Sequence, residues 1–88
     1  MEIIAILATV LGIITGLANV PQIVKILKNR SAKDISITTN LIFVTSSVVW
    51  LLYGIQLANF PLIVANVIYV ITYGLIIAGW MAYGRISK

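Results

Sequence analysis

The chain has no cysteine and no histidine, and only two acidic residues, Glu2 and Asp34, among its 88 residues. Without thiols it has neither a disulfide framework nor thiol chemistry, and two well-separated carboxylates cannot form a metal cluster or a catalytic triad. We therefore predict no enzyme activity, no metal and no cofactor. Charged residues make up 9% of the chain and hydrophobic residues 61%. This balance is typical of neither a soluble domain nor a disordered one.

Three long apolar stretches fill almost the whole chain. They run from Ile3 to Val24, from Ile37 to Leu57 and from Phe60 to Ala82. A helix of about 20 residues rises roughly 30 Å, the thickness of the hydrocarbon core, so each stretch predicts one transmembrane helix. A secretory signal peptide is disfavoured, since the basic segment that precedes its apolar core is missing. Residues 1–88 are predicted to form one all-α membrane domain, a three-helix bundle.

The basic residues lie on one side of the predicted membrane. They are Lys25, Lys28, Arg30 and Lys33 between the first two stretches, and Arg85 and Lys88 after the third. Because basic loops stay in the cytoplasm, this pattern predicts an inner-membrane protein with its N-terminus outside and its C-terminus in the cytoplasm. Charges at the ends of spans fit contact with lipid headgroups, and nucleic-acid binding is not predicted.

Three helices are too few to enclose a hydrated cavity, so a solute pathway is predicted to lie between copies of the chain. An odd number of spans gives every copy the same orientation in the membrane. The copies are then related by an axis along the membrane normal, and a two-fold dimer is the commonest closed arrangement. We predict a parallel homodimer with its pathway on that axis.

Polar and aromatic side chains share one depth in the second and third stretches. Phe43, Ser46, Trp50 and Tyr53 recur at helical spacing on one face of the second stretch. Trp50 and Asn66 each lie roughly 9–10 Å inside the outer surface. An indole N–H and an amide both need polar partners in hydrocarbon, so together with Ser46 they predict a layer that binds a sugar by stacking and hydrogen bonding. The alternative is that each only packs against, or bonds, a neighbouring helix.

The first stretch carries two features of helix geometry. Gly12 and Gly16 form a GxxxG motif, which predicts close helix packing. Pro21 lacks a backbone donor and disfavours helical geometry at Val20, so it predicts a kink near the cytoplasmic end. Such a kink can serve as a hinge or can be static.

The order of these motifs resembles a known family. Pro21 and Gln22 before a short basic loop, then residues 49–54 and residues 61–67, are similar to the PQ-loop membrane proteins and most closely to the bacterial SemiSWEET sugar transporters. The resemblance covers nearly the whole chain. It implies a homodimer of three-helix bundles, packed in the order first, third, second, around one sugar site.

The resemblance also implies roles for individual residues. These are Trp50 and Asn66 as sugar ligands, Tyr53 at the outer gate, Phe43 at the inner gate, and Pro21 with Gln22 at the hinge. The chain departs from some relatives at Leu57 and Asn59, where an Arg and an Asp would close the outer gate. Closure here is predicted to use Tyr53, packing and neutral hydrogen bonds.

The predicted function is facilitated diffusion of a neutral sugar by alternating access. The three spans contain no acid, base or imidazole, which argues against coupling to protons or sodium. Two alternatives stay open at this stage. One is a non-transporting accessory protein that only binds other membrane helices, and the other is a PQ-loop transporter of another small solute, such as an amino acid or an organic acid.

Overall fold

The structure is a computed structural model that describes residues 2–33 and 35–84. Its elements are the helices α1 (Ile3–Leu17), α2 (Val20–Asn29), α3 (Ile37–Leu57) and α4 (Phe60–Gly79), followed by a short π-helix, Trp80–Gly84. The helical segments Ile3–Asn29, Ile37–Leu57 and Phe60–Tyr83 are long and apolar enough to cross a membrane. The prediction of three transmembrane helices is therefore confirmed, with α1 and α2 together forming the first span.

The first span is broken at Ala18 and Asn19. There the Asn19 amide donates to the Gly16 carbonyl three residues earlier, at 3.1 Å, so one turn is tighter than an α-helix. Pro21 then lies at the start of α2, where its missing N–H is not needed. A proline ring clashes with the carbonyl of the residue four positions before it, which explains why the break precedes Pro21 instead of following it.

The helix α2 continues beyond the predicted end of the first span. The first apolar stretch of the sequence ends at Val24, but the helix α2 includes Lys25 and Lys28 and ends at Asn29. Part of the predicted basic loop is therefore helical, and the first span has 27 residues. A span of that length reaches past the hydrocarbon core, so the two lysines lie at its end.

Side-chain caps fix where α3 and α4 begin. Ser36 accepts a hydrogen bond from the Thr39 amide at 3.2 Å, and Asn59 accepts one from the Leu62 amide, also at 3.2 Å. These bonds satisfy amides that a helix N-terminus leaves unpaired. Ala58 ends α3 in the left-handed conformation, with φ 53° and ψ 40°, so only two residues separate the two helices.

The helix α4 packs against both α1 and α3. A Cβ atom added to Gly12 would lie 2.7 Å from Ala65 Cβ, and one added to Gly16 would collide with Ile68. The GxxxG motif therefore brings α1 against α4 within one chain, as predicted from the close-packing property of such motifs. Gly54 does the same for α3, since a Cβ there would lie 2.9 Å from Leu62 Cβ.

The described helices pack with α4 between α1 and α3, and α1 and α3 make few contacts with each other. The Cα atoms extend over 47 × 21 × 14 Å. Among the described apolar side chains only Ile26, Ala32 and Ile76 are fully buried. Most leucines, isoleucines and valines face outward, as a membrane allows. One chain therefore does not enclose a space.

Candidate solute-binding site

A pocket of about 210 Å³ lies between α3 and α4. It is lined by Phe43, Ser46, Ser47, Trp50, Asn66, Tyr69 and Tyr73. The structure thus brings the three predicted sugar ligands, Trp50, Asn66 and Ser46, into one pocket together with the predicted inner-gate residue Phe43. Their meeting follows from their common depth and from the packing of α3 on α4.

Asn66 is the buried polar group of this pocket, with 6% of its surface exposed. Its Nδ2 donates to the Leu62 carbonyl, four residues earlier in α4, at 2.8 Å. Among the described residues no buried side-chain nitrogen or oxygen lacks a partner. The Asn66 side-chain oxygen receives no bond from them, so it is accessible from the pocket and can accept a hydrogen bond from a solute hydroxyl.

Two serine hydroxyls add to this polar surface. Within the described part of the chain neither Ser46 nor Ser47 makes a side-chain hydrogen bond. Thr9 and Thr72 differ, because their hydroxyls donate to carbonyls four residues earlier, at 2.8 and 2.9 Å. The serine hydroxyls of the pocket therefore keep both a donor and acceptors for a ligand.

Aromatic rings form the walls. Phe43 and Tyr73 have ring centroids 5.3 Å apart, and Tyr69 and Tyr73 have theirs 6.1 Å apart. Trp50 meets Tyr53 edge to face at 5.9 Å, is 49% exposed and lines the pocket. Tyr53 contacts Trp50 but is not among the residues that line the pocket. An uncharged pocket with aromatic walls and hydroxyls suits a polyhydroxylated solute.

A larger cavity, of about 880 Å³, adjoins the pocket on the other side of α4. It lies between α1 and α4 at the end of the bundle that holds Glu2 and Asn59. Asn66 and Tyr69 line both cavities, so the two spaces lie on either side of these residues. The pocket is therefore next to a wide opening at the predicted outer end.

The predicted hinge residues lie away from the pocket. Pro21 and Gln22 are exposed residues of α2. Gln22 lines a third cavity, between α2 and the segment that follows it. The structure does not bring these two residues together with Trp50 or Asn66.

A contact that the sequence did not reveal connects the break in the first span to α4. Asn19 Nδ2 donates to Thr72 Oγ1 at 3.0 Å, across 53 positions of sequence. Thr72 is buried and donates in turn to the Ile68 carbonyl. A lone Asn in an apolar span signals that a partner is needed, but only the packing of α1 on α4 identifies Thr72 as that partner.

These features describe a multi-pass membrane protein that presents an uncharged polar pocket within its spans, and small-solute transporters belong to this class. Comparison with known proteins identifies the family of transporters. Residues 2–88 match the protein family described as "Sugar efflux transporter for intercellular exchange". The chain belongs to this family, which is a family of transporters and not of enzymes.

The relatives agree with this assignment. The chain is 39% identical over 70 residues to "Sugar transporter SemiSWEET" of Bradyrhizobium diazoefficiens, covering 80% of this chain and 81% of the relative. It is 30% identical over 59 residues to the protein of the same name from Leptospira biflexa, covering 67% and 69%. A solved structure, "Crystal structure of a bacterial homologue of SWEET transporters", superposes with a TM-score of 0.88 at 32% identity. The match covers 94% of this chain and 100% of that one. The resemblance to the SemiSWEET transporters is confirmed.

Proposed function

We propose that this protein carries neutral mono- or disaccharides across the inner membrane as a uniporter, through a pathway between the two chains of a parallel homodimer. The observation that carries the proposal is the open pocket lined by Trp50, Asn66 and Ser46, on a bundle in which α4 lies between α1 and α3. Membership of a sugar transporter family supports a sugar as the solute.

The size and openness of the pocket support the proposed dimer. Small-molecule sites have volumes of roughly 300–1,000 Å³, and the pocket of one chain is smaller, at about 210 Å³. Two copies facing each other double the volume and surround the solute with two indoles and two amides. The contacts of α4 with both α1 and α3 support a bundle order of first span, third span, second span.

Alternating access needs a gate on each side of the pocket and a hinge. Tyr53, beside Trp50 and towards the α3–α4 turn, closes the outer side, and Phe43, packed on Tyr73, closes the inner side. Rocking of each bundle about the break before Pro21 and Gln22 opens one side while the other closes. Asn59 already caps α4, so outer closure depends on Tyr53 and on packing.

The orientation follows the positive-inside rule. The N-terminus and the α3–α4 turn face the outside, and the segment with Lys25, Lys28, Arg30 and Lys33 faces the cytoplasm. The large cavity beside Glu2 is then the outer entrance. Arg85 and Lys88 are basic residues that the same rule assigns to the cytoplasmic side, and they lie outside the described residues.

Transport is driven by the sugar gradient alone. Relays for protons or sodium normally use intramembrane Asp, Glu or His, and the predicted spans contain none. Sugar uptake into proteoliposomes should therefore equilibrate without accumulation, and an imposed proton or sodium gradient should not change its final level. Accumulation driven by either gradient would contradict the uniport mechanism.

The central experiment measures radiolabelled sugar uptake into proteoliposomes, with a panel of unlabelled mono- and disaccharides as competitors. Trp50→Ala removes the stacking surface and Asn66→Ala removes the side-chain acceptor. We expect each to lower uptake about tenfold or more, the equivalent of about 1.4 kcal/mol of lost binding.

Two variants serve as matched controls. Asn40 is as buried as Asn66, at 8% exposed, and donates to the Ser36 carbonyl four residues earlier, but it does not line the pocket. Leu52 belongs to α3 and does not line the pocket. Asn40→Ala and Leu52→Ala should keep uptake near the unmutated rate. Uptake left intact by Trp50→Ala and Asn66→Ala would remove this pocket from the mechanism.

A further inference from the structure

A third cavity, of about 330 Å³, lies where α2 meets the basic segment, away from the sugar pocket. Its polar lining consists of Lys25, Lys33, Gln22, Asn29 and Ser31. Every one of these side chains carries a hydrogen-bond donor, and two of them carry a positive charge. No acidic residue of the described chain lines the cavity.

None of the described residues forms an ion pair with Lys25 or Lys33, or a hydrogen bond with the side-chain amides of Gln22 and Asn29. Within residues 2–33 and 35–84, the Ser31 hydroxyl oxygen accepts one long hydrogen bond, of 3.5 Å, from the Lys33 backbone amide. The sequence of segment 25–36 contains four basic residues and one acidic residue, Asp34, which lies outside the described residues. The cavity therefore offers an excess of positive charge and free donors to an anion.

The floor of the cavity is apolar and lies at the end of a membrane span. Ile26 and Ala32 are 3% and 2% exposed, and Ile35 lies beside them. Lys25 belongs to the helical segment Ile3–Asn29, which is long enough to reach the headgroup layer. A charged rim above an apolar floor at that depth matches a phosphate ester joined to a glyceride better than it matches a free inorganic ion.

We propose that this cavity binds the phosphate headgroup of an anionic phospholipid. The lysines contact the phosphate, the amides and the Ser31 hydroxyl contact its oxygens or the headgroup hydroxyls, and the apolar floor contacts the glyceride. Because Gln22 directly follows Pro21, a bound lipid fixes the basic segment against the start of α2. This inference does not depend on the transport mechanism proposed above.

The test uses the full-length protein in detergent and counts retained lipids by native mass spectrometry during titration with phosphatidylglycerol or phosphatidylcholine. The variant Lys25→Gln with Lys33→Gln removes both cavity charges. Lys28→Gln with Arg30→Gln removes the same net charge from exposed residues that do not line the cavity. A basic residue near an anionic headgroup contributes about 1 kcal/mol, so each cavity lysine should account for about a fivefold loss of phosphatidylglycerol affinity. We expect the control pair to change it less than about twofold, because Lys28 and Arg30 do not line the cavity and so do not contact the bound phosphate.

Several outcomes would overturn the proposal. Equal losses from the two variant pairs would show general surface attraction, and equal retention of phosphatidylcholine would show that the phosphate charge is not recognised. Thermal stabilisation by inorganic phosphate equal to that by phosphatidylglycerol, at matched ionic strength, would identify a soluble anion as the ligand. If the double variant does not elute as a folded protein, Lys33→Gln alone, in the segment after α2, should still lower affinity about fivefold.

Discussion

At the scale of single residues, Ala58 shows how the chain turns between α3 and α4. It adopts φ 53° and ψ 40°, and the Asn59 amide then donates to the Gly54 carbonyl at 2.9 Å. This is the hydrogen-bond pattern by which helices end in the left-handed conformation. An alanine there has a Cβ close to the following carbonyl, which costs roughly 1–2 kcal/mol. The short turn between α3 and α4 therefore places backbone strain on Ala58.

Replacing Ala58 with glycine should relieve that strain. We expect Ala58→Gly to raise the free energy of unfolding in detergent by about 1 kcal/mol, measured by titration with a denaturing detergent. The matched change Ala78→Gly, at an exposed position inside α4, should lower it by roughly 0.5–1 kcal/mol, because glycine is unfavourable in a helix interior. A loss of stability in Ala58→Gly similar to that in Ala78→Gly would contradict the strain argument.

The pocket residues were predictable one by one because helix geometry fixes both face and depth. The 3.6-residue period placed Phe43, Ser46 and Trp50 on one face, and the rise per residue placed Asn66 at the depth of Trp50. Neither property depends on tertiary detail, and the pocket contains all four. The partner of Asn19 depends on how α1 is rotated against α4, which no local pattern encodes.

At the scale of helices, α1 is held by close approach of backbones. Lipid tails are as apolar as leucine, so membrane helices associate through packing and hydrogen bonds more than through apolar burial. Gly12 and Gly16 supply the packing, and the bond from Asn19 to Thr72 supplies the polar contact at the end of α1. These contacts hold α1 and the break that follows it against α4.

A methyl group at Gly16 should separate α1 from α4. Gly16→Ala places a Cβ against Ile68, and overpacking of this kind costs typically 1–3 kcal/mol. Gly74→Ala is the matched control, since a Cβ there meets no atom within 4 Å. We expect a lower unfolding midpoint for Gly16→Ala and an equal or higher one for Gly74→Ala. Equal midpoints for the two variants would show that α1 is not packed on α4 through this motif.

The Asn19–Thr72 bond should contribute measurably both to stability and to transport. A double-mutant cycle with Asn19→Leu and Thr72→Val should give a coupling energy of about 0.6 kcal/mol, up to roughly 1.7 kcal/mol, as for other hydrogen bonds between membrane helices. Because the bond joins the break to α4, either single variant should also change the uptake rate more than the affinity for sugar. A coupling energy near zero, with an unchanged uptake rate, would show that the bond has no role in positioning the break.

Both ends of α3 and the start of α4 matched the predicted apolar stretches, and at both starts the apolar stretch begins directly after a capping side chain. Ser36 and Asn59 are side chains that favour the position just before a helix, and each caps one. The end of the first span did not match, because hydropathy decreases at Lys25 although the helix continues to Asn29. Apolar length measures the hydrocarbon core, and a helix can extend beyond it into the headgroup layer.

At the scale of the whole molecule, the open pocket on one bundle supports the proposed second copy. Trp50 is half exposed, and the pocket of one chain is smaller than typical solute sites. A solute at that pocket would otherwise meet acyl chains, which cannot satisfy its hydroxyls. The sequence predicted a second copy because three helices cannot surround a hydrated path, and the packing of α3 on α4 supports the pocket face as the contact surface of the proposed dimer.

The proposed dimer can be tested with single cysteines, since the chain has none of its own. Ser46→Cys places a thiol of similar size in the pocket, whereas Leu52→Cys places one on α3 at a residue that is 62% exposed and does not line the pocket. With bifunctional thiol reagents of graded length, Ser46→Cys should give a covalent dimer in proteoliposomes and Leu52→Cys should stay monomeric. In the proposed dimer the two cysteines face each other across the proposed sugar site, so sugar should slow the cross-linking. A reductant that cleaves the reagent should restore uptake. Cross-linking of Leu52→Cys in preference to Ser46→Cys would mean that the pocket faces lipid and that the pathway does not lie between two chains.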